Sequence, residues 1–256
     1  MANPLHFLPQ TFTALSATSE ASGYPASNLT LALHPRRPHR TTGVVAQTVI
    51  LDCGAAVVLK AAFLNNANFP TCAIAVSSSS TFASDVTTLG TFTLSLDDRV
   101  NRRKLWADCS SNALSKRYVR LSYSGTPDAG ATYYELGVVA LGVTVVTWLD
   151  SPAWPVAFVR GQASTRLPFL SGGEDVGEDG VPFLESLTFA SRVWRQTSGV
   201  RAQLFAILDY GLAAPWVIYE NRGDATKAYC VRRVGDMPVE EQLVTFSAAL
   251  TVREAI

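Results

Sequence analysis

Charge is scarce in this chain. Only 16% of its 256 residues are Asp, Glu, Lys or Arg, against about a quarter in ordinary soluble domains. The 21 basic and 21 acidic groups cancel, which removes the electrostatic footprint of a dedicated DNA or RNA binder. Disorder is excluded too, because 48% of the residues are apolar and can fill a core. Histidine is almost missing: His6, His34 and His39 all precede the first clear strand signal. There is no GxSxG motif, so nothing points to a serine hydrolase and no enzyme is expected. The arginines beside His34 and His39 predict a surface loop with lowered imidazole pKa, not a metal-ligand set. Cys53, Cys72, Cys109 and Cys230 form no CxxC and no Cys-His pair. We read them as reduced and expect no metal and no cofactor, although a Cys53–Cys109 bridge is an alternative the spacing leaves open. Met1–Gln10 lacks the basic start and apolar run of a secretory leader. The longest uncharged apolar stretch, Leu136–Leu149, is too short for a membrane helix and reads as buried strand.

What is present is β-pattern. Residues 11–46 carry turn chemistry, with Tyr24-Pro25-Ala26-Ser27-Asn28-Leu29 at its centre. Strand signals then follow at Gln47–Asp52, Val57–Leu64, Cys72–Ser77, Thr88–Leu94, Lys104–Cys109, Arg117–Tyr123 and Tyr134–Leu141. Gly, Pro, Asn, Asp or Ser clusters separate them, which is the grammar of a β-sandwich. Two prolines around Trp154 mark a boundary, giving expected domains 1–149 and 150–256. Residues 1–145 hold eleven basic and eight acidic groups, and residues 146–256 hold ten and thirteen, so the zero total hides two mildly opposite halves. In the second half, Gly172–Gly180 reads as an acidic glycine loop and Val181–Trp194 as one long strand. An amphipathic helix is expected at about 198–212, with Val200, Leu204, Ile207, Leu208 and Leu212 on one face. More strands follow, so the fold class is mainly β: a sandwich, then a second β-sandwich or α+β domain with one helix.

Three motifs in the first half occur in a telling order: Tyr24–Leu29, Arg40-Thr41-Thr42-Gly43 and Gln47–Gly54, followed by the strand Arg117–Leu121. Over residues 10–142 this resembles the discoidin-like (galactose-binding-like) β-sandwich, with His39 where Trp is common and Cys53 in place of Leu. The second half resembles the tail-tube or distal-tail β domain of tailed bacteriophages, through its order of long strand, helix and Pro215-Trp216 strand. Together the resemblances imply a structural component of a phage tail tip or baseplate, a viral protein assembled in the host cytoplasm into the virion. Its expected partners are copies of itself and other tail proteins, with no nucleic acid and no membrane span.

The discoidin-like resemblance also implies that Asn65, Asn66, Asn68 and Phe69 lie on ligand-facing loops. There the amides would bind sugar hydroxyls and the ring would stack on a glycan. Asn in a turn needs no such explanation, since it tolerates the left-handed region. Arg36, Arg37 and Arg40, with Arg102 and Arg103, are expected at subunit contacts, or as phosphate or acidic-glycan holders. Glu174, Asp175, Glu178 and Asp179 are expected in a loop between subunits; calcium binding is the alternative. Trp154 is expected to fix one domain on the other. The second functional reading is therefore a carbohydrate-binding adhesin module that recognises a host-surface glycan.

Overall fold

The structure is a computed structural model, and it describes residues 5–30, 37–97, 101–147, 157–168, 174–195, 202, 205–207, 209, 215–219, 224–233, 239–241 and 245–254. The strands run in chain order as β1 (Leu5–Phe7), β2 (Thr13–Ala17), β3 (His39–Arg40), β4 (Gln47–Val58), β5 (Ala61–Ala67) and β6 (Thr71–Ser77). Next come β7 (Thr87–Thr93), β8 (Ser95–Asp97), β9 (Arg102–Asp108), β10 (Ser115–Ser124), β11 (Glu135–Gly142) and β12 (Val146–Thr147). The last six are β13 (Ala157–Pro168), β14 (Glu174–Arg195), β15 (Trp216–Tyr219), β16 (Ala228–Arg233), β17 (Val239–Glu241) and β18 (Thr245–Glu254).

The protein is mainly β. Two five-stranded antiparallel sheets, ordered β2-β4-β10-β6-β7 and β3-β11-β5-β9-β8, form a sandwich. Alternation sets their register: Val49, Leu51 and Cys53 of β4 are buried while Thr48, Ile50 and Asp52 are only partly covered. On β10, Val119, Leu121 and Tyr123 likewise enter the core and meet Ile74 and Val76 of β6. A one-residue slip would turn every one of them outward. The turn motif forms a short 3₁₀ segment, Ala26–Thr30, that buries Ala26 and Leu29. Glu20 Oε1 accepts the Ala26 N–H at 2.8 Å, and Asn28 Nδ2 donates to the Pro38 carbonyl at 3.0 Å.

A third sheet, ordered β12-β1-β15-β16-β18-β14-β13 with β17 beside β18, lies against the outer face of the β11-bearing sheet. Leu5 and Phe7 of β1, Val217 and Tyr219 of β15, and Ala228 and Cys230 of β16 pack on Phe63, Trp106, Val138 and Ala140. The middle sheet is thus buried on both faces, and all eight residues of β11 are buried. That is why Leu136–Gly142 is a continuous apolar run instead of an alternating one. β1 and β12, which lie before residue 149, pair within the third sheet, whose other strands lie beyond it. A three-residue strand pairing across more than 200 residues leaves no local signal. Of the expected helix, residues 202, 205–207 and 209 are described and are helical, and Ile207 is buried.

The largest correction concerns Gly172–Gly180. Glu174–Gly180 is strand, and the long element β14 begins there. Its register with β13 places Glu174 opposite Pro168, Asp175 opposite Leu167 and Glu178 opposite Ser164. Cross-strand pairing overrides the poor β-propensity of Gly, Asp and Glu.

Candidate functional site

The most chemically dense surface among the described residues is one end of the sandwich, where β3, β9 and β11 meet the Tyr24 turn. Glu135 begins β11 with its side chain only 4% exposed. Arg40 of β3 donates to Glu135 Oε2 through Nε at 3.0 Å and Nη2 at 2.5 Å, and Arg102 of β9 lies 3.2 Å from Oε1. The Arg40 guanidinium is sandwiched between the rings of Tyr24 and Tyr133, 4.1 and 4.4 Å from their centroids. Two guanidinium groups on one carboxylate leave a local excess of positive charge, flanked by half-buried tyrosines. Arg103 is held elsewhere, by Asp128 at 2.8 Å and the Leu94 carbonyl at 3.1 Å. Of the predicted basic residues, Arg37 is exposed and Arg36 lies outside the described residues.

The structure brings the predicted sugar-facing residues close together but spends two of them on the fold. Phe69 is fully buried, stacked on Tyr123 at 4.4 Å with Tyr134 edge-on at 5.6 Å, so it has no free ring face. Asn68 is 2% exposed; its Nδ2 donates to the Tyr133 carbonyl at 3.0 Å, and its Oδ1 accepts the Glu135 N–H at 2.7 Å. Asn65 and Asn66 are half-buried and shape an irregularity in the β5–β9 register, with Asn66 at φ +58° and its N–H on Asn65 Oδ1 at 2.8 Å. Asn65 and Asn66 thus lie within β5 and not on the loop that the resemblance implied, while the side chains of Asn68 and Phe69 build the end of the sandwich.

The histidines also depart from expectation. His39 is fully buried in β3, and burial, not arginine repulsion, lowers its pKa. His6 is 2% exposed in β1, its ring edge-on to Trp216 at 5.6 Å, and burial lowers its pKa to about 4. His34 lies outside the described residues. All four cysteines are buried, and Cys53, Cys72 and Cys109 are free thiols. Burial pushes the Cys53 thiol up to about 11 and those of Cys72 and Cys109 up to about 12, so they are poor nucleophiles. Among the described residues no cluster of His, Cys, Asp and Glu is placed to hold a metal, and no helix is long and apolar enough to cross a membrane.

Trp154 lies outside the described residues. Among the described residues, Trp106 makes sheet-to-sheet contact, stacking on Tyr219 at 4.9 Å and meeting Phe7 at 5.2 Å. Its strand alternation shows only that Trp106 faces one side of β9; that a third sheet covers that side is not written locally.

A second distinctive surface is the β13–β14 hairpin. β18 pairs with β14 only from Leu187 onward, whereas β13 follows β14 back to Glu174. From Glu174 to Ser186, β14 therefore has β13 as its single described partner strand, and the ten β13 residues Val159–Pro168 set the length of this two-stranded ribbon at roughly 30 Å, at about 3.4 Å per residue.

No protein-family model matches the chain, and no curated protein matches it in sequence. Solved structures resemble it over about half its length. The family 32 carbohydrate-binding module of C. perfringens NanJ, solved with galactose, is 16% identical, covering 54% of this chain and 98% of that one with a TM-score of 0.43. Chitosan-binding module 1 from a Paenibacillus sp. IK-5 chitosanase/glucanase is 22% identical, covering 53% and 98% with a TM-score of 0.42. Reduced XRCC1, solved with the DNA polymerase beta catalytic domain, is 17% identical, covering 54% and 99% with a TM-score of 0.43.

Proposed function

We propose that the chain is a non-catalytic structural subunit that assembles with copies of itself, as a component of a phage tail tip or baseplate. The observation that supports this reading is the ribbon. Two strands alone are marginal in water, and a ribbon roughly 30 Å long, with both edges unpaired among the described residues, gains stability by lying on another surface. A neighbouring subunit in a closed ring supplies such a surface in every copy. The virion and the other tail proteins come from the sequence resemblance. Mass photometry of the purified chain tests the reading: discrete multimers are expected, and a strict monomer at micromolar concentration overturns it.

A second reading takes the sandwich as a carbohydrate-binding module directed at a host-surface glycan, the property that the names of the similar modules carry. In this chain it is supported by Tyr24 and Tyr133 flanking Arg40, since rings beside charged donors suit sugar faces and hydroxyls. A glycan array tests it, with saturable binding expected and a blank array counting against it. Both readings hold together if the assembled subunit presents its sandwich outward.

A further inference from the structure

The outer face of the first sheet carries a charge that its surroundings do not explain. β10 is the central strand of that sheet, and Arg120 lies opposite Ile50 of β4 and Ala75 of β6. Its neighbours Val119 and Leu121 enter the core, so Arg120 faces outward with Tyr118 and Ser122. There it is half-buried, and its Nε is buried with no hydrogen-bond partner among the described residues. Arg40 and Arg102 share Glu135, Arg103 has Asp128 and Arg117 has Asp52; Arg120 has no carboxylate among the described residues. A guanidinium half out of water without a counter-charge is costly, and such an orphan calls for a missing anion.

The roof over it is built at a cost as well. The β6–β7 loop folds back so that the Phe82 ring lies 4.6 Å from the Arg120 guanidinium carbon, with Phe82 only 8% exposed. Phe82 holds φ +53°, a left-handed conformation that an aromatic residue seldom adopts, and Asp85 in the same loop holds φ +59°. Ser77 Oγ, donating to the Ser84 carbonyl at 3.1 Å, and Lys116, ion-paired with Asp85, tie the loop down. On the sheet beside Arg120 the β6 side chains are Ala73 and Ala75, which leave the guanidinium edge unobstructed from that strand.

We propose that Arg120, roofed by Phe82, is a subsite for the carboxylate or sulfate of an acidic sugar, on the sheet face and apart from the Arg40 end of the sandwich. The guanidinium fork fits either oxyanion in a bidentate manner, and the buried Phe82 ring holds the guanidinium in place for it. This rests on the carbohydrate-binding reading and names its ligand class. Calorimetric titration with a glucuronate-bearing oligosaccharide, a sulfated one and their neutral counterparts tests it, on the full chain and on Arg120→Gln, Arg120→Lys and Phe82→Leu. The acidic sugars are expected to bind more tightly than the neutral ones and to weaken about tenfold or more in Arg120→Gln, as for loss of one charge-assisted pair. Arg120→Lys is expected to recover part of that loss. The thermal midpoint of Arg120→Gln is expected to hold or rise, because an unpaired charge leaves the sheet. Acidic-sugar binding unchanged in Arg120→Gln overturns the subsite and leaves the carbohydrate reading standing. Inorganic sulfate binding as tightly as the sulfated sugar also overturns it. No saccharide binding by the parent chain overturns both.

Discussion

Glu135 is the residue on which the end of the sandwich turns. Removing its buried carboxylate strands two guanidinium groups, so Glu135→Ala is expected to cost about 3 kcal/mol, as for one side of a buried pair, read from urea unfolding. His6 gives a second residue-scale expectation. Its pKa is about 4 folded and about 6.5 unfolded, so the unfolded chain takes up the proton first as pH falls. Stability is therefore full above about pH 6.5, declines toward pH 4 and loses no more below that, up to about 3 kcal/mol for this group. His39 acts in the same direction. Denaturation between pH 4 and 8 checks this, and His6→Phe is expected to flatten the slope. The buried thiols add a third expectation: a disulfide reagent at pH 8 should label the cysteines only after unfolding.

Among the elements, β1 is short but decisive. Phe7 projects from it onto β11, where a Cβ on Gly142 would stand 2.7 Å from the Phe7 ring. Gly142→Ala is therefore expected to displace β1 and lower stability by about 1–3 kcal/mol, the usual penalty for overpacking, with the tryptophan fluorescence of Trp106 shifted to the red. Cutting the ribbon back, by joining 162 to 182 through a two-residue turn, is expected to keep the fold and lower the oligomeric state. The elements also show how far sequence reasoning reaches. β4 and β10 were legible because one face is core and the other is not, so their alternation is clean. β11 was legible as buried, but the reason for its unbroken apolarity required the third sheet. β1 was illegible because three residues carry no period, and the acidic end of β14 because Gly, Asp and Glu suggest a loop. At the site, the resemblance put Asn65, Asn66, Asn68 and Phe69 on loops, whereas Asn65 and Asn66 lie within β5. Only packing could reveal that Phe69 was already engaged with Tyr123, or that Arg40 from one motif and Glu135, 95 residues later, form one cluster.

At the scale of the whole molecule, the scarcity of charge has an internal cause. A sheet covered on both sides needs apolar residues on both faces, and the chain devotes its middle sheet to that. Part of what composition suggested about subunit contacts is thus explained within one chain, and the ribbon is left to carry the proposal of a neighbour. The pairing of β1 with β12 has a further consequence. Leu5 lies beside Thr147 in adjacent antiparallel strands, so the chain leaves the third sheet and returns to it at one point. Everything between is a graft on one pair of adjacent strands in the third sheet. One sandwich could be exchanged for another by two cuts, after Phe7 and before Val146, provided the newcomer brings an apolar face to cover Phe7 and Tyr219.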